Sequence, residues 1–352
     1  MLSILAIGAC HPEGVISNQF LEDLGIGSSA EWIKDKLGVE NRRTSLPINY
    51  ILETKNSDPI KGVQLSNNAV VRLGVDASKD ALNKANVKIE QIGLVIVNSC
   101  TPSAGYPSTA MSIAKELGVN ALAYDVFTAC PAFALHLHYL QQQNHKKLPG
   151  YVLCISSAAL TPKVNYCDRS DSAIWGDGAA AWIVKCDDLE KNESGKSVDE
   201  NHLPTNSTKQ EKKRLIVEYT SYDADPGRCQ AVVVDTFGYF HQDGRAVRDF
   251  SVRQTVRMLK QLESQFVLDW NRDVFIGHQA NRTMLEQICA NRNIPADNHW
   301  HNVTQVGNQA GAGAPAVIAE NWNRIQDGQR IVVAVVGAGL SWGAAVLKAQ
   351  IY

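Results

Sequence analysis

Apolar runs of strand length alternate with helical patterns along most of the chain, and this alternation predicts an α/β fold. A first strand is expected within Met1–Cys10. Six further runs have the length and apolar content of buried strands: Gly93–Ser99, Ala123–Phe127, Tyr151–Ser157, Ala179–Lys185, Val274–Gly277 and Ile331–Val336. Five segments have helical periodicity: Val70–Ala85, Ala110–Leu117, Ala132–Gln143, Val252–Gln265 and Ala314–Arg324.

One stretch departs from this pattern. Residues 187–214 are charged and polar, with almost nothing to bury. Such a composition is typical of a mobile surface insertion. It divides the chain into a predicted N-terminal half, residues 1–186, and a predicted C-terminal half, residues 215–352.

The two halves resemble each other. The sequence Trp175-Gly-Asp-Gly-Ala-Ala-Ala-Trp-Ile-Val-Lys185 in the first half is similar to Leu340-Ser-Trp-Gly-Ala-Ala-Val-Leu-Lys348 in the second. Each half also has a strand–turn–helix pattern with a polar residue at the turn, Cys130 in one and Asn308 in the other. A repeated order of elements suggests an internal duplication.

Composition excludes several classes of protein. The net charge of the 352 residues is −2, which gives no electrostatic case for binding nucleic acid or an anionic membrane. No apolar run reaches the ~18 residues of a membrane span. The eight cysteines have neither C-x-x-C nor zinc-like spacing, which favours a reducing, cytoplasmic location over a disulfide scaffold.

Cys130 is the strongest candidate for a nucleophile. It stands where an extended segment ends and a helix is expected to begin at Pro131, since proline is favoured at the first helical position. The positive end of the helix dipole is expected to stabilise a thiolate there and lower the pKa of the thiol. Most of the other cysteines are interpreted as buried structural residues.

Two further polar residues lie at the ends of apolar segments. His278 follows a strand in Val274-Phe-Ile-Gly-His-Gln-Ala-Asn281, and a cysteine nucleophile needs an imidazole nearby. Asn308 lies in a glycine-rich turn, where its amide N–H₂ is placed to donate to a developing oxyanion. Taken singly, each is better explained as a structural residue, and the case depends on Cys130.

Other patterns have weaker interpretations. Gly339-Leu-Ser-Trp-Gly343 matches the serine hydrolase motif G-x-S-x-G, but no acid or histidine follows it to complete a triad. His299 and His301 lack a third ligand at metal spacing, so no metal is expected.

Taken together, the motifs of the chain resemble those of the β-ketoacyl synthase III branch of the thiolase superfamily. The resemblance covers the whole chain apart from the insertion. It is carried by EDLGIGSSAEWIKDKLGVENRR at 22–43, the turn at 125–133, WGDG at 175–178, HQAN at 278–281, Gly307-Asn308 and VGAGLSWG at 336–343.

The resemblance implies a duplicated, five-layered α-β-α-β-α thiolase fold and a homodimer. It implies that Cys130 takes an acyl group from a thioester and that His278 and Asn308 hold a malonyl thioester during decarboxylation. The resulting enolate would then attack the acyl group in a Claisen condensation. The backbone N–H groups of Cys130 and Ala338 would bind the oxyanion. Acyl-coenzyme A or acyl carrier protein would be the partner, and no cofactor would be needed.

The resemblance also assigns substrate-binding residues. Trp32 and Arg169 match a pair that sandwiches adenine, and Lys36 matches an arginine that meets a phosphate. Asn281 is expected to order the carrier-binding site, and Tyr106 to reach into the acyl pocket of the partner subunit. Trp175 replaces a smaller aromatic residue, and two interpretations stay open: it lines the acyl pocket, or it faces away and packs the core.

Several positions depart from the family pattern. Ala132 and Ala338 replace usual glycines, and Gly307-Asn-Gln-Ala310 replaces Gly-Asn-Thr-Ser. These changes fit a specialised synthase of secondary metabolism at least as well as one that initiates fatty acids. The alternatives to condensation are a non-condensing acyltransferase or thioesterase of the same fold, and an inactive partner subunit.

Overall fold

The structure is a computed structural model that describes residues 1–102, 104–169, 171–186 and 212–352. Its strands are β1 Leu2–Cys10, β2 Gly14–Ser17, β3 Asn41–Thr44, β4 Ile92–Asn98, β5 Leu122–Asp125, β6 Tyr151–Ala158, β7 Gly178–Cys186, β8 Lys213–Ala224, β9 Val232–Val234, β10 Phe240–Gln242, β11 Val274–Gly277, β12 Arg330–Gly337 and β13 Ser341–Ile351. Its α-helices are α1 Asn18–Asp23, α2 Ala30–Leu37, α3 Ile48–Thr54, α4 Pro59–Leu65, α5 Ala69–Ala85, α6 Thr109–Leu117, α7 Ala132–Gln141, α8 Gly244–Gln265, α9 Arg282–Arg292, α10 Val303–Val306 and α11 Gly313–Glu320.

Two strand arrays with the same pattern of directions form the main sheet. In the N-terminal half the order is β5-β4-β6-β7-β1, and in the C-terminal half it is β11-β12-β13-β8. In each half one corresponding pair of neighbours is parallel, β4 with β6 and β11 with β12, and the next two pairings toward the junction of the arrays are antiparallel. The arrays meet where β1 pairs with β8. An isolated parallel bridge between Phe275 and His299 stands in the C-terminal half where β5 stands in the N-terminal half.

The helices complete a five-layered arrangement. Helices α7 and α11 each contact strands of both halves and form the central layer. Helices α5 and α6 cover the outer face of the N-terminal array, and α8 and α9 cover that of the C-terminal array. Three separate clusters of buried apolar side chains fill the spaces between these layers. The duplicated α-β-α-β-α thiolase fold expected from the sequence is therefore confirmed.

Most predicted elements are present, with differences at their ends. Helix α8 begins at Gly244, eight residues before the predicted Val252, because the Asp243 side chain accepts a hydrogen bond from the Ala246 N–H at 3.1 Å and caps it. Helix α11 stops at Glu320, and a short 3₁₀ turn follows over Trp322–Arg324.

The predicted insertion lies outside the described residues over 187–211. Its predicted end at 214 is wrong, because Lys213 and Arg214 already pair with Ile351 and Gln350 in the sheet. Strand β8 was not predicted, since its half-buried sequence mixes polar and apolar residues. Among the described helices, none is both long enough and apolar enough to cross a membrane.

Candidate active site

Cys130 lies in the turn between β5 and α7. The turn is fixed to β4, since the backbone N–H of Thr128 donates to Asn98 Oδ1 at 2.8 Å. Helix α7 begins at Ala132 and Pro131 is its N-cap residue, so Cys130 lies one position farther from the helix than predicted. The side chain of Ala132 fits because a glycine, Gly311, faces it: a Cβ on Gly311 would lie 2.8 Å from the Ala132 Cβ.

The electrostatic environment of Cys130 differs from the prediction. Burial raises the pKa of its thiol well above the usual value, and the nearby thiol of Cys100 adds to this rise. The backbone N–H groups of Ala338 and of Cys130 itself act in the opposite direction but are outweighed. The expected lowering of the pKa of Cys130 by the helix dipole is therefore wrong. At neutral pH the side chain of Cys130 is therefore a neutral thiol.

The backbone at the end of β12 lies directly against Cys130. A Cβ on Gly337 would lie 2.8 Å from the Cys130 N atom and 2.9 Å from its Cβ, so a side chain at position 337 is excluded. This approach brings the next N–H group, that of Ala338, close enough to act on the Cys130 sulfur. Two backbone donors from different halves of the chain therefore serve the same atom.

His278 comes directly after β11 and is buried. Burial lowers its pKa to about 4, so the imidazole is neutral at pH 7. The residues that follow it are fixed by Asn281, whose Oδ1 accepts the Met284 N–H at 2.8 Å and caps α9. A neutral imidazole has one nitrogen that donates and one that accepts a proton.

Asn308 is held on both sides by backbone hydrogen bonds from the N-terminal half. Its N–H donates to the Ile174 carbonyl at 2.7 Å, and its carbonyl accepts the Gly176 N–H at 3.0 Å. Its side-chain Oδ1 accepts the Ala310 N–H at 2.9 Å. This bond orients the amide, and its Nδ2 group is the end that can donate to a ligand.

A single cavity of about 420 Å³ brings these groups together. Eight of the residues predicted to form the site line it: Trp32, Cys130, Arg169, Trp175, His278, Asn281, Asn308 and Ala338. Two do not line it within one chain. Lys36 is exposed next to the wall residue Leu37, and Tyr106 is 92% exposed. The structure thus places Trp175 in the cavity wall, as the first of its two interpretations required.

Part of the wall was missed by sequence reasoning. The segment from β9 to the start of α8 contributes Val232, Val234, Phe240, Gln242, Val247 and Arg248, and Cys100 lies in the wall as well. The apolar run Val232-Val-Val234, with Phe240 six residues after it, was the feature of the sequence that could have indicated this part of the wall. It carries no catalytic motif, so nothing in the sequence connected it with Cys130.

The Trp32 and Arg169 side chains meet at the cavity. The Arg169 guanidinium carbon lies 5.3 Å from the Trp32 ring centroid, and Arg169 Nη1 donates to the Gly27 carbonyl at 3.2 Å. The two side chains therefore stack on each other. A planar base can enter between them only if the arginine moves away.

Two motifs set aside in the sequence have structural explanations. Ser341, in the G-x-S-x-G match, is buried at the start of β13 and donates to the Ala338 carbonyl at 2.7 Å. His299 stacks on Phe275 with ring centroids 5.7 Å apart, and its ring also lies 5.1 Å from that of His301. Within the described ranges no third histidine, cysteine or carboxylate joins them to form a metal site.

Comparison with known proteins shows that two segments of the chain match models of one protein family. Residues 124–205 match the family model described as 3-oxoacyl-[acyl-carrier-protein] synthase III, and residues 270–349 match the model of its C-terminal region. The first match contains Cys130 and the second contains His278 and Asn308. The chain belongs to the 3-oxoacyl-[acyl-carrier-protein] synthase III family.

Members of the synthase III family align with nearly the whole chain. A β-ketoacyl-[acyl-carrier-protein] synthase III of Clostridium perfringens strain SM101 is 27% identical over 98% of both chains. One from Caldanaerobacter subterraneus is 28% identical over 98% of this chain and 97% of its own. The crystal structure of the synthase III of Aquifex aeolicus VF5 has a TM-score of 0.79 and 24% identity, with 99% of this chain and 100% of that chain covered. The protein is a condensing enzyme of the β-ketoacyl synthase III type.

Proposed function

We propose that this condensing enzyme loads an acyl group on Cys130 and extends it with a malonyl unit held by His278 and Asn308. The observation that carries the proposal is the shared cavity. It receives the thiol from the turn before α7, the imidazole from the end of β11 and the amide from the turn before α11. Backbone donors from Cys130 and Ala338 act at the same sulfur.

Loading begins with a neutral thiol and a neutral imidazole. Because burial raises the pKa of Cys130 and lowers that of His278, the thiol proton moves to the imidazole as the sulfur attacks the thioester carbonyl. The tetrahedral oxyanion accepts hydrogen bonds from the N–H groups of Cys130 and Ala338. Its collapse breaks the bond from carbon to the carrier sulfur. That sulfur leaves as a thiol with the proton from His278.

Condensation uses the same two side chains as donors. The imidazole N–H of His278 and the Nδ2 group of Asn308 donate to the thioester oxygen of the malonyl unit. This oxygen becomes negative when the bond to the carboxylate breaks and CO₂ leaves. The enolate carbon then attacks the acyl carbonyl on Cys130, a carbon–carbon bond forms, and the cysteine sulfur is released. Burial favours the neutral imidazole that this role requires.

The carrier would enter beside Trp32 and Arg169. Displacing Arg169 from the tryptophan face opens a slot for a flat base, and its guanidinium is available for a phosphate. Asn281 at the start of α9 and exposed Lys36 on α2 would contact the pantetheine arm and its phosphate. The thioester carriers are substrates, so the proposed steps use only side chains and backbone groups of the protein.

A second copy of the chain would complete the acyl end of the cavity. Among the strands of the described residues, β5 is the last of its array, and one of its edges has no strand partner there. Leu122 in β5 is 66% exposed, and Phe127 just after it is 70% exposed. Tyr106 lies on a neighbouring loop. A homodimer formed by pairing β5 with its copy would bury these apolar side chains and bring Tyr106 to the partner.

The test is intact-protein mass spectrometry with a panel of acyl thioesters, followed by addition of a malonyl thioester. The expected result is a single acyl adduct on Cys130 that is discharged with release of CO₂ and formation of a β-ketoacyl product. Cys100 lies in the same cavity wall and provides the matched control. Cys130→Ala should abolish the adduct, and Cys100→Ala should keep it. An adduct that transfers to another acceptor or to water without CO₂ release would show a non-condensing acyltransferase or thioesterase instead.

A further inference from the structure

The residue after Asn308 is tied to a histidine outside the cavity. Gln309 is fully buried, and its Nε2 atom lies 2.7 Å from the Asp177 carbonyl oxygen and 2.8 Å from His11 Nδ1. The amide fits because Gly178 has no side chain: a Cβ there would lie 2.4 Å from Gln309 Nε2. His11 follows strand β1 and does not line the cavity, so its effect on the site is transmitted through Gln309.

The hydrogen bonds of His11 fix its tautomer. The Asp177 carbonyl can only accept, so the group facing it is the NH₂ end of Gln309. The second N–H of that group donates to His11 Nδ1, which must therefore lack a proton. The proton of the neutral imidazole is on Nε2, and this group donates to Glu320 Oε1 at 2.8 Å.

The same network continues to the turn that holds His278. Glu320 Oε1 also accepts from Asn302 Nδ2 at 3.0 Å. The backbone N–H of Asn302 donates to Gln279 Oε1 at 3.1 Å, and Gln279 Nε2 donates to the Gly277 carbonyl at 2.9 Å. Gln279 is fully buried and directly follows His278. A continuous chain of hydrogen bonds therefore joins Gln309, which follows Asn308, to Gln279, which follows His278.

We propose that His11 is a positioning residue for malonyl decarboxylation. It acts through Gln309 to hold Asn308 in the orientation that donates to the malonyl thioester oxygen. Glu320 fixes the tautomer of His11 and joins it to the turn after His278. The inference rests on the proposed function of Asn308. It assigns a role to His11, which directly follows β1 and does not line the cavity.

Two substitutions separate the hydrogen bonds made by His11. His11→Asn keeps an acceptor near the position of Nδ1 and loses the donor to Glu320. His11→Gln keeps a donor near the position of Nε2 and loses the acceptor for Gln309. His11→Ala loses both. For each variant the rate of acyl loading on Cys130 is measured by mass spectrometry, and kcat and KM for CO₂ release from the malonyl thioester are measured separately.

The expected loss is roughly 5- to 10-fold in kcat for CO₂ release in His11→Ala and His11→Gln, close to the effect of one hydrogen bond. Loading should stay within about twofold, and His11→Asn should recover wild-type kcat within about twofold. Equal losses in loading and CO₂ release, unchanged kcat in His11→Ala, or an asparagine variant no better than glutamine would each overturn the proposal. Absence of CO₂ release from the wild-type protein would instead overturn the proposed function, and this inference with it.

Discussion

The rings of Trp175 and Phe240 lie 4.2 Å apart between centroids, at an angle of 59°, and both line the cavity that contains Cys130. Trp175 comes directly before the Gly-Asp-Gly turn, and Phe240 begins β10. Two residues 65 positions apart therefore form one aromatic wall. Because packed interiors do not absorb extra volume, this pair limits the volume of the cavity beside Cys130.

Removal of either ring should shift the preference toward longer acyl chains. Trp175→Ala and Phe240→Ala should each raise kcat/KM for longer thioesters, by up to about fourfold per added CH₂ until the new space is filled, since a buried methylene contributes about 0.8 kcal/mol. The measurement is kcat/KM across a series of straight-chain acyl thioesters. A uniform fall for all lengths would show that the pair only supports the fold.

Alkylation should distinguish Cys130 from the exposed thiols. Because burial raises the pKa of Cys130, iodoacetamide at pH 7 should label it more slowly than Cys167 and Cys229, which are exposed free cysteines. Peptide mapping over a time course gives the rate at each site. Faster labelling of Cys130 than of Cys167 would mean that a thiolate is already present in the unliganded protein.

Substitutions of His278 and Asn308 should both impair condensation but should differ in their effect on acyl loading. His278→Ala and Asn308→Ala should each lower condensation by roughly 10²–10³-fold, the usual loss for one oxyanion donor. Asn308→Ala should still load Cys130, because the acyl oxyanion is bound by backbone N–H groups. His278→Ala should load more slowly, because burial keeps the Cys130 thiol protonated and the variant lacks the base that removes this proton. Loss of loading in Asn308→Ala would contradict this division.

Substitution of Arg169 should affect carrier binding more than chemistry. Arg169→Ala should raise KM for the acyl carrier substrate while kcat stays within a few fold, because the guanidinium lies at Trp32 and away from the reacting sulfur. Arg324→Ala is a matched control, since Arg324 stacks on Trp300 at 4.9 Å outside the cavity. Equal KM values for the two variants would remove Arg169 from the carrier site.

Stability should fall as the solution becomes acidic. Burial lowers the pKa of His136, His278 and His299 from the usual 6.5 to about 4. Between these values the unfolded chain binds more protons than the folded protein, so the free energy of unfolding decreases as pH falls from about 7 toward 4. Each histidine contributes on the order of 1–2 kcal/mol of this loss by pH 5.

Urea unfolding at pH 7 and pH 5 measures this dependence. His136 lies on α7 beside Trp182, with ring centroids 5.4 Å apart, and does not line the cavity. His136→Phe should therefore reduce the difference in stability between the two pH values without affecting acyl loading. An identical pH dependence in wild type and variant would show that His136 does not contribute.

The sequence by itself determined the fold class and predicted three residues that the fold brings to one cavity. Apolar alternation gives the α/β class, because buried strands and helices impose their own periods on the chain. Cys130, His278 and Asn308 were found because each lies where an apolar segment ends in a turn, a local feature with a chemical meaning. The resemblance between β7 and β13 was visible in the sequence because both contain a similar run of small and apolar residues.

The tertiary structure decided the properties that depend on residues distant in the chain. The pKa of Cys130 was predicted from the nearby helix end, but burial among groups from both halves outweighs that local effect. Phe240 joins the cavity, and His11 reaches Gln309, only because the fold brings separate segments together. Desolvation and hydrogen bonding act between neighbours in space, and such neighbours cannot be identified from periodicity along a single chain.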